Sequence, residues 1–126
     1  MSAFSVTSTV NSYPTHPYRE IKEAILGKKY ELSLVFIGQK RAATINKTYR
    51  NKLYSPNVLS FPLSDTTGEI CICPIVAKKE AHAFGLSTKG YVAFLFIHGC
   101  LHLKGLDHGD TMDAQEKKYL KKFSLS

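Results

Sequence analysis

Apolar and polar positions alternate from the start of the chain. "FSVTSTV" (4–10) is rich in β-branched residues and predicts a strand. In "THPYREIKEAILGKK" the spacing changes to that of a helix: Tyr18, Ile21 and Ile25 share one face, Pro17 suits the first turn and Gly27 the end. "YELSLVFIG" (30–38) predicts a strong strand. "QKRAATINKTYR" (39–50) predicts a helix with Ala42, Ile45 and Tyr49 turned inward. Two short strands follow, "NVLSFPL" (57–63) and "GEICICP" (68–74); Pro62 ends the first or marks it as an edge. Pro74 opens a helix, "PIVAKKEAHAF", closed by Gly85. "YVAFLFIHGCLHLK" (91–104) is apolar nearly all round, which predicts a central buried helix ended by Gly105. In the last helix Asp110 is the expected N-cap, with acids early and Lys117, Lys118, Lys121 and Lys122 late, as the helix dipole favours. The sum is an α+β fold: one mixed sheet of about four strands packed with about five helices. With no repeat, linker or low-complexity tract, residues 1–126 are expected to form a single domain.

Composition narrows the setting. The chain is 44% hydrophobic, enough to bury a core. No apolar run approaches the ~18 residues needed to span a bilayer, and the first residues lack the basic and apolar regions of a secretory signal. Three cysteines, Cys71, Cys73 and Cys100, argue against a disulfide framework and for a reducing compartment. A cytoplasmic protein with no membrane partner is the expectation. The net charge is +7, and residues 19–52 carry nine Lys/Arg against three Glu, a local balance of +6. That bias suits a polyanion, either nucleic acid or an acidic membrane surface, or is simply the basic surface of a soluble protein.

The central helix carries the chemistry. His98 and His102 are four residues apart, so both rings leave one face about 6 Å apart along the axis. Two imidazoles so placed can tilt onto one ion at ~2.0–2.1 Å. Gly105 can take a positive φ, end the helix and bring His108 back toward them. Three neutral nitrogen ligands with an open fourth position describe a catalytic zinc site, the frame H-x-x-x-H-x-x-G-x-x-H being that of the long zinc-protease motif. The alternative is two core histidines and an unrelated third. In the proteases a Glu general base follows the first His. Here Gly99 stands there, and Met112 is badly placed for the methionine turn those enzymes need, so the site is zincin-like while its chemistry differs.

"HGCLHLKGLDH" resembles the H-G-x-L-H-L-x-G-x-D-H signature of the YbeY family of endoribonucleases, or rRNA maturation factors. "INKTYRNKLYSPNVLSFPL" is similar to that family's N-x-x-[FY]-R-x-x-x-x-x-x-[DN]-V-L-S-F-P segment, and "GEICICPIVAKKEAHAFG" to its G-D-I-x-I-C strand and following helix. Leu53 and Ser55-Pro56 stand where the family has Asp and Pro-Thr. The resemblance covers roughly residues 30–122. It implies a zinc-dependent, single-strand-specific endoribonuclease acting in 16S rRNA 3′-end maturation, ribosome assembly and quality control. Zn2+, or another divalent ion such as Ni2+, would sit on His98, His102 and His108. A small-subunit ribosomal protein and an assembly GTPase would be partners alongside the small ribosomal subunit, with no nucleotide cofactor. Matching Arg50 to the family's Arg makes it the expected phosphate clamp, a role its planar fork suits; otherwise it is a solvated helix-end Arg.

Other residues remain open. Asn57 and Ser60 line a cleft or serve as strand caps and core polar groups. Asp107 orients a ligand imidazole or stabilises a turn. Cys71 and Cys73 share one strand face and are expected to be half-buried thiols rather than a soft-metal site. Cys100 falls on the core side of its helix, and His16 and His82 are expected in solvent. Two rival functions stand beside the nuclease: a metzincin-like metalloprotease, and a non-catalytic RNA-binding assembly factor.

Overall fold

A computed structural model of the chain describes residues 3–125. Its elements are β1 (Phe4–Ser8), α1 (Tyr18–Leu26), β2 (Glu31–Phe36), α2 (Gln39–Arg50), β3 (Val58–Ser64), β4 (Thr67–Ile72), α3 (Pro74–Ala83), α4 (Thr88–Lys104) and α5 (Asp110–Lys122). The strands form one sheet in the order β1-β2-β4-β3. β1 and β4 run parallel to β2, and β3 runs antiparallel to β4. This is the expected mixed sheet with five helices. β3 is an edge strand, as Pro62 implied, and it continues past the proline through a register shift between Pro62 and Ser64.

Alternation along the strands divides the core. Leu32, Leu34 and Phe36 of β2 and Ile70 and Ile72 of β4 point to one face and pack with α1 and α4. Cys71 of β4, Leu59 of β3 and Ala42 of α2 meet on the other face. α4 runs through the larger core: Val92, Ala93, Phe96, Ile97 and Cys100 are fully buried. Its seventeen residues leave His98 and His102 on the one half-open side. Gly99 lets the helix lie close on the sheet, because a Cβ there would meet Ser60 Oγ at 3.0 Å and Ile70 Cδ1 at 3.1 Å. Among the described residues no single helix is long and apolar enough to cross a membrane.

Several expectations needed correction. α4 begins at Thr88, earlier than its apolar run, because Ser87 caps it by accepting from the Gly90 amide at 3.0 Å. Asp110 is the first residue of α5 and not its cap; Gly109 holds that position at φ 149°. Tyr49 is 72% exposed. It continues the inward stripe of α2, but the helix end overhangs the edge strand, so the ring meets Phe61 instead of the core. His16 is half-buried and not solvated: its Nε2–H donates to the Lys89 carbonyl at 2.7 Å, tying the segment before α1 to the start of α4. The basic segment does not form one patch. Lys22 is buried and its ammonium donates to the Lys28 carbonyl, while α1 and α2 pack on opposite faces of the sheet.

Candidate active site

Gly105 ends α4 at φ 108°, its amide bonded to the His102 carbonyl. The turn it permits brings His108 back over the helix. The ring centroids of His108 lie 5.1 Å from His98 and 4.9 Å from His102. One nitrogen from each of the three rings falls within 4.8 Å of the others.

The tautomers follow from the partners. Nδ1 of His98 lies 2.6 Å from Oε2 of the buried Glu116 on α5. An ionised carboxylate only accepts, so the ring proton is on Nδ1. Nδ1 of His102 lies 3.1 Å from the Leu106 carbonyl, which likewise only accepts. In the neutral form of the rings, the one that can ligate a metal, both Nε2 atoms therefore carry lone pairs, and they face each other at 3.0 Å. Two lone pairs so directed repel unless a cation lies between them. Ligands around a tetrahedral ion at ~2.0–2.1 Å lie roughly 3.3 Å apart, so the pair fits such an ion closely. Burial is the main cause holding His102 below its usual pKa, and the neighbouring His98 and His108 push the same way. Its neutral, ligating form is thereby favoured.

The histidines form one wall of a cleft of about 720 Å³, which Tyr49, Arg50, Tyr54, Asn57, Ser60 and Phe61 also line. Arg50 is the last residue of α2. It is exposed and makes no ion pair among the described residues, so its five donors face solvent at the cleft. Ser60 donates to the Gly99 carbonyl at 3.3 Å, and Asn57 donates to Glu80 at 2.7 Å. Both thus belong to the cleft and to structural networks at once. Asp107 is exposed and bonds none of the three histidines. Cys71, Cys73 and Cys100 are free and buried; burial pushes the Cys71 thiol up to about 11 and Cys100 higher still.

Sequence reasoning missed Glu116. It lies eighteen residues after His98, on a different helix, and reads there as one more charge in "DAQEKKYLKK". Only the packing of α5 on α4 makes it a partner. Asn46 was also missed. It is fully buried, and its amide donates to the Tyr54 carbonyl at 2.9 Å.

The fold and cleft define a class: an α+β protein with a three-histidine site suited to a metal and an arginine at its mouth. The family model described as Endoribonuclease YbeY matches residues 7–125. The chain belongs to the YbeY endoribonuclease family. Endoribonuclease YbeY of Paraburkholderia phymatum is 36% identical over 99 residues, which is 75% of this chain and 65% of that protein. The protein of that name from Bdellovibrio bacteriovorus is 40% identical over 87 residues, 68% of this chain and 57% of its own length. The matched part is thus under two thirds of these curated relatives. The solution structure of TM1509 from Thermotoga maritima shares the fold, with a TM-score of 0.69 at 23% identity over 95% of this chain and 88% of that one.

Proposed function

We propose that this protein is a metal-dependent endoribonuclease that cuts single-stranded ribosomal RNA. The observation that carries it is one cleft holding three convergent imidazoles and an arginine with no ion pair among the described residues. His98, His102 and His108 would hold the ion, with zinc as the resident metal and nickel as the alternative, in keeping with an all-imidazole donor set. When bound, such an ion acidifies water and polarises a phosphoryl oxygen.

The chain's own residues do the rest. Glu116 and the Leu106 carbonyl hold the protons of His98 and His102 on Nδ1, leaving Nε2 free to ligate. The Arg50 guanidinium takes two oxygens of the scissile phosphate and offsets charge as it develops. Position 99, where a metalloprotease carries its Glu base, is a glycine packed against Ser60 and Ile70, with a Cβ there meeting them at 3.0 and 3.1 Å. That disfavours peptide hydrolysis. Family membership supports extending the reading to 16S rRNA 3′-end maturation, ribosome assembly and quality control in the cytoplasm. The small subunit, one of its proteins and an assembly GTPase are the proposed partners.

The test is single-turnover cleavage of a single-stranded rRNA fragment by metal-replete and by stripped protein, with a casein digest alongside. Cleavage of RNA that vanishes on stripping and returns with zinc supports the proposal. Metal-replete protein that binds RNA without cutting it would make this an assembly factor.

A further inference from the structure

The wall of the cleft facing the histidines has a feature that the metal and Arg50 do not use. Tyr49 and Tyr54 both line it and are 72% and 53% exposed. Tyr49 leans edge-on against Phe61, centroids 5.7 Å apart, which leaves its outer face open. The loop that carries Tyr54 is held firmly. α2 ends at Asn51 in the left-handed conformation, φ 53°. The fully buried Asn46 then gives its amide to the Tyr54 carbonyl at 2.9 Å, and Ser55 bonds the Gln39 carbonyl at 3.3 Å. The amide oxygen of Asn46 is buried with no partner among the described residues, so fixing an exposed aromatic residue in this way carries a cost that a surface contacting only water does not need.

Charge continues the same path. Arg50, Lys47 and Lys40 are spaced three and seven residues apart, so they form one stripe of α2 about 15 Å long. All three are exposed. No acidic residue occurs anywhere from Leu32 to Ser64. The stripe leads away from the cleft mouth and stays cationic throughout.

We propose that Tyr49 and Tyr54 form a stacking site for unpaired bases next to the scissile phosphate, and that Lys47 and Lys40 take the phosphates that follow along α2. Every base has a π-face, so the site selects unpaired nucleotides without selecting sequence. A duplex keeps its faces stacked inside and cannot use it. The proposal rests on the nuclease reading for its ligand class and adds which residues impose single-strandedness.

The experiment measures binding of the metal-replete protein to a fluorescein-labelled eight-nucleotide phosphorothioate RNA by anisotropy, with RNA integrity checked by gel. Tyr49→Ala and Tyr54→Ala should each weaken binding roughly 5- to 150-fold, the range for loss of one base stack. Tyr49→Phe and Tyr54→Phe should stay within about twofold of the parent. The same RNA annealed to its complement should bind weakly and lose nothing further in either Ala variant. An RNA with one abasic position should bind weakly to the parent, yet that loss should not add to the loss in Tyr→Ala. Lys40→Ala and Lys47→Ala should each reduce the log–log salt slope by roughly 0.7, and Lys28→Ala/Lys29→Ala, in the turn between α1 and β2, should leave it unchanged. Both tyrosines are exposed, so these variants should keep the parent melting temperature and metal content. A Tyr49→Ala/Tyr54→Ala double variant that binds single-stranded RNA within twofold of the parent overturns the proposal. So does equal sensitivity of duplex binding to the same changes. Failure of the parent to cut RNA, with these binding results intact, would overturn the nuclease reading and leave the stacking site standing.

Discussion

Replacing Glu116 by Ala removes the carboxylate that accepts from His98 Nδ1–H at 2.6 Å. The His98 side chain is 16% exposed and that of Glu116 8%, so water replaces the lost acceptor poorly. Two effects follow. In the metal-free protein an N–H donor is left without a partner in a mostly buried site, which costs about 1–3 kcal/mol. For a domain of this size that is roughly 3–10 °C in melting temperature. In the metal-bound protein the His98 ring loses the contact that fixes both its tautomer and its orientation. Loss of such a partner lowers metal affinity ~10- to 100-fold, or about 1.4–2.7 kcal/mol. Glu116→Gln keeps an acceptor oxygen but loses the charge, so it should fall between parent and Ala. Competition with a chromophoric chelator reads the affinity, and long-range nitrogen–proton NMR correlations read the His98 tautomer. A cycle with His98→Ala isolates the route of the effect. If Glu116 acts through His98, Glu116→Ala should change zinc affinity little once His98 is gone. Parent-like zinc affinity in Glu116→Ala, or equal losses with and without His98, would refute the coupling.

Two other predictions concern packing and pH. Gly99→Ala gains up to ~1 kcal/mol of helix propensity but forces the fully buried Ile70 to move, so net destabilisation of about 1–2 kcal/mol is expected by denaturant titration; a more stable variant would show that α4 has slack against the sheet. His102 sits below its usual value of 6.5 in the fold, so the unfolded chain takes up its proton first as pH falls. The stability this contributes to metal-free protein is present above pH 6.5 and declines as pH drops through the lowered folded value. His102→Gln should flatten that limb of the stability–pH curve, and an unchanged curve would contradict the assigned cause.

The features legible in the sequence were those set by spacing along one element. The four-residue step from His98 to His102, and a glycine three beyond, put the three rings on one side of the helix end. The period of two likewise put Cys71 and Cys73 on one face, but they are buried and not half-buried as expected, because that face packs against Leu59, Ala42 and Val76. Features set by contact between elements were not legible. Tyr49 lies on the inward stripe of α2 by periodicity, and only the edge position of β3 gives it Phe61 in place of the core. The basic run of 19–52 is continuous along the chain but is split by the sheet, since α1 and α2 cover opposite faces. Glu116 carries no local signal, because its partner is eighteen residues away. Start positions failed where a cap and an apolar run disagreed: Ser87 begins α4 ahead of its first core residue, Val92.

The measurement that bears most directly on the central claim is the single-turnover cleavage rate of metal-replete Arg50→Ala on single-stranded RNA. Arg50 lines the cleft with the three histidines and has no ion-pair partner among the described residues, so its removal should leave fold and metal content intact. If the guanidinium stabilises the reacting phosphate, the rate should fall ~100-fold or more, with only a modest change in RNA affinity. Arg50→Lys should not restore it, because a point charge cannot replace the planar fork. Cleavage by Arg50→Ala at the parent rate would contradict the account, even with the metal in place.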